Sequence, residues 1–281
     1  MSKKSARPPR RRTRPDREPS PTEQFDSALA RLHGISTEAS ALFARHLRGP
    51  EPRATPGHEH VLGYLASWTR FVDRGISAVR TLQRSNLSVY AAPIRRNLLE
   101  HAVTCWTVAD NADAFDSYIR THKHSVTKVD AAMKGLGLES DEEAMERVMS
   151  WATDEQTKPL DNLAKSKVKF LAFPDGGDAL YLQWLHETLV SHAGFPTAVL
   201  YLRDTPGDDY PTLTIDPMVT ESEWSIAGTC ADSILLCLQS FSRVIVGDPL
   251  GDEVTALNER KNAIIYEIGS LLPDVERLAQ G

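Results

Sequence analysis

Side chains capable of chemistry concentrate in one stretch of this chain, Ser88 to Asp110 (SVYAAPIRRNLLEHAVTCWTVAD). There Arg95, Arg96, Asn97, Glu100 and His101 interrupt an otherwise apolar run. An imidazole near a guanidinium suits work on phosphate esters: the ring moves a proton, and the cation steadies charge developing on oxygen. The same residues also suit a structural task. Arg96 and Glu100 stand four apart, the spacing of a helical ion pair. At about 100° per residue the apolar positions cover an arc of roughly 220°, with Arg96 and Glu100 at its edge and Arg95 and His101 inside it. An ordinary surface helix shows a much narrower stripe. This one must therefore be packed on several sides, and a guanidinium inside the arc needs a partner.

Other clusters are thinner. His186, Glu187, Ser191 and His192 lie in a second apolar segment. The two histidines are six apart and so point to different faces, which makes no metal pair. Tyr181, Leu185, Thr188 and His192 share one face, which makes His192 either a buried, hydrogen-bonded imidazole or, with Tyr181, a partner approaching the central helix. His101 and Cys105 are four apart and of metal-ligand type, but zinc takes three or four ligands. Asp110, Asp113 and Asp116 are best placed to end one helix and cap the next. No phosphate-binding loop, dinucleotide fingerprint, H-E-x-x-H, G-x-S-x-G or calcium loop occurs. No metal site and no cofactor is implied.

Arg96 to His101 fits the R-x-x-x-x-H pattern and resembles that of HEPN ribonucleases, whose sites are usually formed across a dimer. That resemblance implies a metal-independent nuclease or toxin-type enzyme with Arg96 and His101 as its active pair. R-N-L-L-E within Pro93 to His101, with the later Y-x-x-x-L-H-E-x-x-x-S-H segment (Tyr181 to His192), also resembles an uncharacterised family of bacterial all-helical proteins, a domain of unknown function. It spans about Val61 to Phe241, leaves out the first forty or so residues, and implies an α-bundle in which Arg96, Glu100 and His192 face one another. It implies no established activity.

The elements that must position these residues are helices. Ser20-Pro21-Thr22-Glu23 is a capping box with proline at the first helical position. It opens a helix to about His33, broken at Gly34 and followed by another from Ser36 to Leu47. Thr55-Pro56 starts a long amphipathic helix through Val61, Leu65, Trp68, Val72, Ile76, Val79 and Leu82. A short Ser85-Asn86 link returns the chain into the central stretch, so the two should form an antiparallel hairpin. Pro93 either kinks that stretch or stands at its first helical position.

Phe115 to Met133, Ser140 to Trp151, a lysine-rich piece with Lys165, Lys167 and Lys169, and Tyr181 onward continue the helical pattern. Asp204 to Pro217 is the one segment of different character, a long loop or small hairpin. Thr220-Glu221-Ser222-Glu223 caps an apolar helix through Ile245, and a last amphipathic segment is interrupted by Gly269 and Pro273. The expectation is an all-α fold: one multi-helix bundle over residues 21–281, with the long hairpin at its centre.

Charge is unevenly placed. Residues 1–20 hold eight basic side chains against two acidic ones, a balance of +6; the chain totals −6, which leaves −12 on the remainder. A basic, proline-rich, apolar-poor start should be a disordered tail, able at most to touch nucleic-acid phosphates weakly. The three cysteines, in no C-x-x-C arrangement, argue against a disulfide framework, and Cys230 and Cys237 suit a core. No apolar run spans a membrane and no secretory h-region follows the basic start, so a cytoplasmic protein without membrane contact is expected. With no complete catalytic set visible, the leading expectation is a non-catalytic interaction or regulatory module that binds a protein partner or itself. The alternative is the ribonuclease-type dimer.

Overall fold

In the computed structural model the described residues are 19–137, 143, 146, 150, 165–174, 176–191, 202–203, 212–213 and 222–279. They form an all-α bundle of eight helices. These are α1 (Pro21–Leu47), α2 (Leu62–Arg84), α3 (Ala92–Asp110), α4 (Ala114–Gly135), α5 (Ser166–Leu171), α6 (Gly177–Ser191), α7 (Glu223–Arg243) and α8 (Gly251–Ala279). No helix among them is long and apolar enough to cross a membrane. Residues 1–18 of the basic tail and His192 lie outside the described residues, as does most of the segment opened by Ser140.

Helix α1 begins as its capping box requires: the Ser20 hydroxyl accepts from the Glu23 N–H, and the Glu23 carboxylate accepts from the Ser20 N–H at 2.7 Å. The break expected at Gly34 is absent. Glycine costs only about 1 kcal/mol in a helix interior, and here it is flanked by Leu32, Ile35 and Ser36, all fully buried, whose packing outweighs that cost. Gly269 and Pro273 likewise sit inside α8 without interrupting it. Helix α2 starts at Leu62, later than Thr55-Pro56 suggests, because Thr55 is engaged elsewhere: its N–H donates to the Val244 carbonyl at 2.7 Å. The Asp204–Pro217 region contributes a two-residue strand, β2 (Thr212–Leu213), antiparallel to β1 (Leu202–Arg203).

Two helices are wrapped on most sides. One is α3, as its wide apolar arc demands, and the other is α7, which packs on α1, α2, α3 and α8. Cys105, Cys230 and Cys237 are buried among them as free thiols. Contacts between α2 and α3 descend along one helix as they ascend along the other: Gly75 meets Leu98, Phe71 stacks on His101, and Trp68 meets Phe115 just beyond α3. Gly75 permits this approach, since a Cβ there would stand 2.5 Å from Leu98 Cδ2. Pro93 occupies the first turn of α3, so of the two arrangements open to it the helix-opening one is adopted. Helices α5 and α6 form a separate layer on the opposite flank of α3, with Leu99, Val103 and Phe170 buried between.

Candidate functional site

Arg95 belongs to the first turns of α3 and points into the layer made by α5 and α6. Its guanidinium clasps Glu187 of α6 in a bidentate bond, Nε to Oε1 at 2.6 Å and Nη2 to Oε2 at 2.9 Å. Both side chains are 1% exposed. The remaining arm, Nη1, donates to the Ser88 carbonyl at 3.0 Å, in the tight turn just before α3. Such parallel pairing is the strong, geometrically specific form of a charge-assisted bond.

A buried Arg96–Glu100 pair, the arrangement their four-residue spacing offers, is not what forms: the buried pair is Arg95 with Glu187. Arg96 and Glu100 approach only to 3.9 Å, and each side chain keeps about a quarter of its surface in solvent (27%). The Arg96 guanidinium instead lies over the Trp184 ring of α6, 5.2 Å from its centroid. Glu100 serves a different cation. Lys169 of α5 reaches its Oε1 at 3.3 Å and the Thr104 hydroxyl at 2.9 Å, with the Tyr118 ring 5.7 Å from the ammonium. Burial holds the Lys169 amine below its usual range, with Glu100 pulling the other way. Burial also pushes the Tyr118 phenol up to about 12, against hydrogen bonds with Thr104 and Thr107. Three contacts thus fasten the α5–α6 layer to α3: Glu187 on Arg95, Trp184 on Arg96, and Lys169 on Glu100 with Thr104.

His101 does not join this seam. Its ring stacks on Phe71 of α2, centroids 4.5 Å apart, and Nδ1 lies 2.7 Å from the Asn97 carbonyl, which makes Nδ1 the protonated nitrogen. Burial lowers its pKa, so the ring is neutral around pH 7. Tyr181 packs in the layer itself, nearly parallel to Trp184 at 5.9 Å and tilted against Phe170. The structure therefore joins Arg95, Arg96, Glu100 and Tyr181 along one seam and leaves His101 on the α2 side of α3.

Two residues in this centre, Glu187 and Lys169, stand out in the sequence only as neighbours of His186 and of other lysines, not as partners of the central helix. Helix α6 carries two carboxylates, Asp178 in its first turn and Glu187 near its end, and it is Glu187 that answers the need of Arg95 for an anion. Lys169 stands among other lysines, so nothing in the pattern separated it from a solvated charge.

Beside the seam lies a cavity of about 390 Å³. Its floor is Leu99, Ala102 and Val103 of α3, and its walls come from α6, α7 and α8. Gln183, Asp232, Ser233 and Lys261 supply polar groups. Lys261 donates to Asp232, and Gln183 donates to Thr229. Among the described residues no group of three or more histidine, cysteine or acidic side chains is placed to hold a metal ion. Compared with family models, with curated proteins and with solved structures, the chain matches none.

Proposed function

We propose that the chain is a non-catalytic regulatory module in which the α5–α6 layer is latched to α3 beside a ligand-sized cavity. The observation that carries this reading is the Arg95–Glu187 bond. It is fully buried, and it ties α3 to the same helix, α6, that walls the cavity. Its charged atoms are engaged with protein groups, which favours a part that sets an arrangement over a part that reacts. A molecule entering the cavity would press on α6 and so act on the latch, which is the coupling a regulatory element needs.

Hydrogen exchange tests the latch. In Glu187→Gln, amides of residues 166–191 should exchange faster while those of α1, α7 and α8 keep their protection. Uniform loss of protection across all helices would make the pair a general fold element and end the proposal.

A second reading rests on His101. Its imidazole is neutral near pH 7 and held by Asn97 through Nδ1, which leaves Nε2 to take a proton. The HEPN-type alternative makes it the general base of a metal-independent ribonuclease, with Arg96 as the cation and a dimer as the working unit. Purified chain incubated with RNA and a chelator should then cleave it, and His101→Ala should not. Absence of cleavage by the wild-type chain retires that alternative.

A further inference from the structure

We propose that the cavity between α3, α6, α7 and α8 is a binding site for a free apolar α-amino acid. The proposal deepens the regulatory reading and rests on it. The volume, about 390 Å³, falls within the range of about 300–1,000 Å³ typical of small-molecule sites, which combine apolar walls with a few convergent polar groups. Here the apolar part is Leu99, Val103, Leu180 and Leu236, from three helices.

The polar part has a specific character: one cation and one anion, side by side. Lys261 and Asp232 are in hydrogen-bond contact, and the lysine is largely buried. An ammonium carries three donors. Among the described residues that of Lys261 uses one, on Asp232, and the second Asp232 oxygen is unused. A simple anion entering here would gain from Lys261 and be repelled by Asp232; a simple cation would meet the reverse. A zwitterion satisfies both, its carboxylate on Lys261 and its ammonium on Asp232, and brings no net charge beside the largely buried Lys261.

A third group supports a ligand. Ser233 also lines the cavity, is buried, and among the described residues its hydroxyl has no hydrogen-bond partner. On the same helix Thr229 and Ser240 donate to carbonyls one turn back, at 2.9 and 2.7 Å. Ser233 lacks this usual local bond, so its hydroxyl remains for a bound carboxylate or ammonium. Gln183 of α6 also lines the cavity, so occupancy is felt by the helix that carries Glu187.

Isothermal titration calorimetry on the full chain tests this with L-phenylalanine, with 3-phenylpropionate, which lacks the ammonium, and with 2-phenylethylamine, which lacks the carboxylate. L-Phenylalanine should bind, and each analogue should bind at least about tenfold more weakly. Lys261→Met and Asp232→Asn should each lose about tenfold or more as well, with circular dichroism checking that they fold. Ala179→Trp, at an exposed position on the cavity's rim, should block binding while leaving the thermal midpoint in place. Three results would each overturn the proposal: no heat from L-phenylalanine or L-leucine at millimolar concentration, equal affinity for all three probes, or binding untouched by Ala179→Trp. If the titrations fail while Glu187→Gln still loosens residues 166–191 alone, the ligand assignment falls and the latch stands.

Discussion

Removing one partner of the Arg95–Glu187 pair should be among the most damaging changes available to this chain, and removing both should be nearly harmless. Each side chain is 1% exposed. Glu187→Leu takes the bidentate carboxylate away from the buried Arg95 guanidinium while its bond to the Ser88 carbonyl stays. Arg95→Met leaves a buried carboxylate without its cation. Orphaning one member of such a pair costs about 3–5 kcal/mol. For a chain of this size, 1 kcal/mol moves the thermal midpoint by about 2–4 °C, so each single variant should melt roughly 6–20 °C lower. The double variant places two apolar side chains of similar length face to face. It loses the bond to Ser88, worth about 1 kcal/mol, but leaves no buried charge without a counter-charge, so its midpoint should fall far less than that of either single variant.

Urea titrations followed by circular dichroism, run as a double-mutant cycle, measure the difference. Arg96→Ala is the internal control. Its ion pair is stretched and partly solvated and its stacking on Trp184 is modest, so it should cost about 1 kcal/mol or less. The reasoning fails if the two single losses simply add in the double variant, or if Arg96→Ala is as costly as Arg95→Met.

Three further outcomes follow from the same geometry. Glu100→Gln should destabilise more than Lys169→Met, because the first strands a buried ammonium and the second leaves a carboxylate that already meets water; paired urea midpoints decide it. Stability should fall as pH drops from about 7 to 5.5. Burial lowers the pKa of both His101 and His33. The unfolded chain, titrating near the ordinary value of about 6.5, therefore binds more protons in that window. Replacing both histidines with glutamine should flatten the slope, and an unchanged slope would assign it to other groups. Gly34→Ala, with open space around its Cβ position, should stabilise by about 0.5–1 kcal/mol, whereas Gly75→Ala should cost about 1–3 kcal/mol through contact with Leu98. Thermal midpoints moving in the same direction would refute that contrast.

The sequence alone was enough to establish helices, because their signals are local. The capping box at Ser20, Pro93 in a first turn and the wide apolar arc from Ala91 to Val108 each act over a few residues, and each is realised. Gly34 and Pro273 misled for a related reason: local propensity argues for a break, while packing on both sides of the residue decides. That Arg95, inside the apolar arc, must find an anion was also legible, since an unpaired buried charge is too costly to persist. Which anion it finds was not. Glu100 is near in sequence and Glu187 is 92 residues away, and only the docking of α6 on α3 brings the second into reach. The pairing of Lys169 with Glu100, and the meeting of Lys261 with Asp232 beside the buried Ser233, were settled in the same way. Spacing along one helix fixes which side chains share a face. Which face meets which depends on how whole helices pack, and that belongs to the tertiary structure.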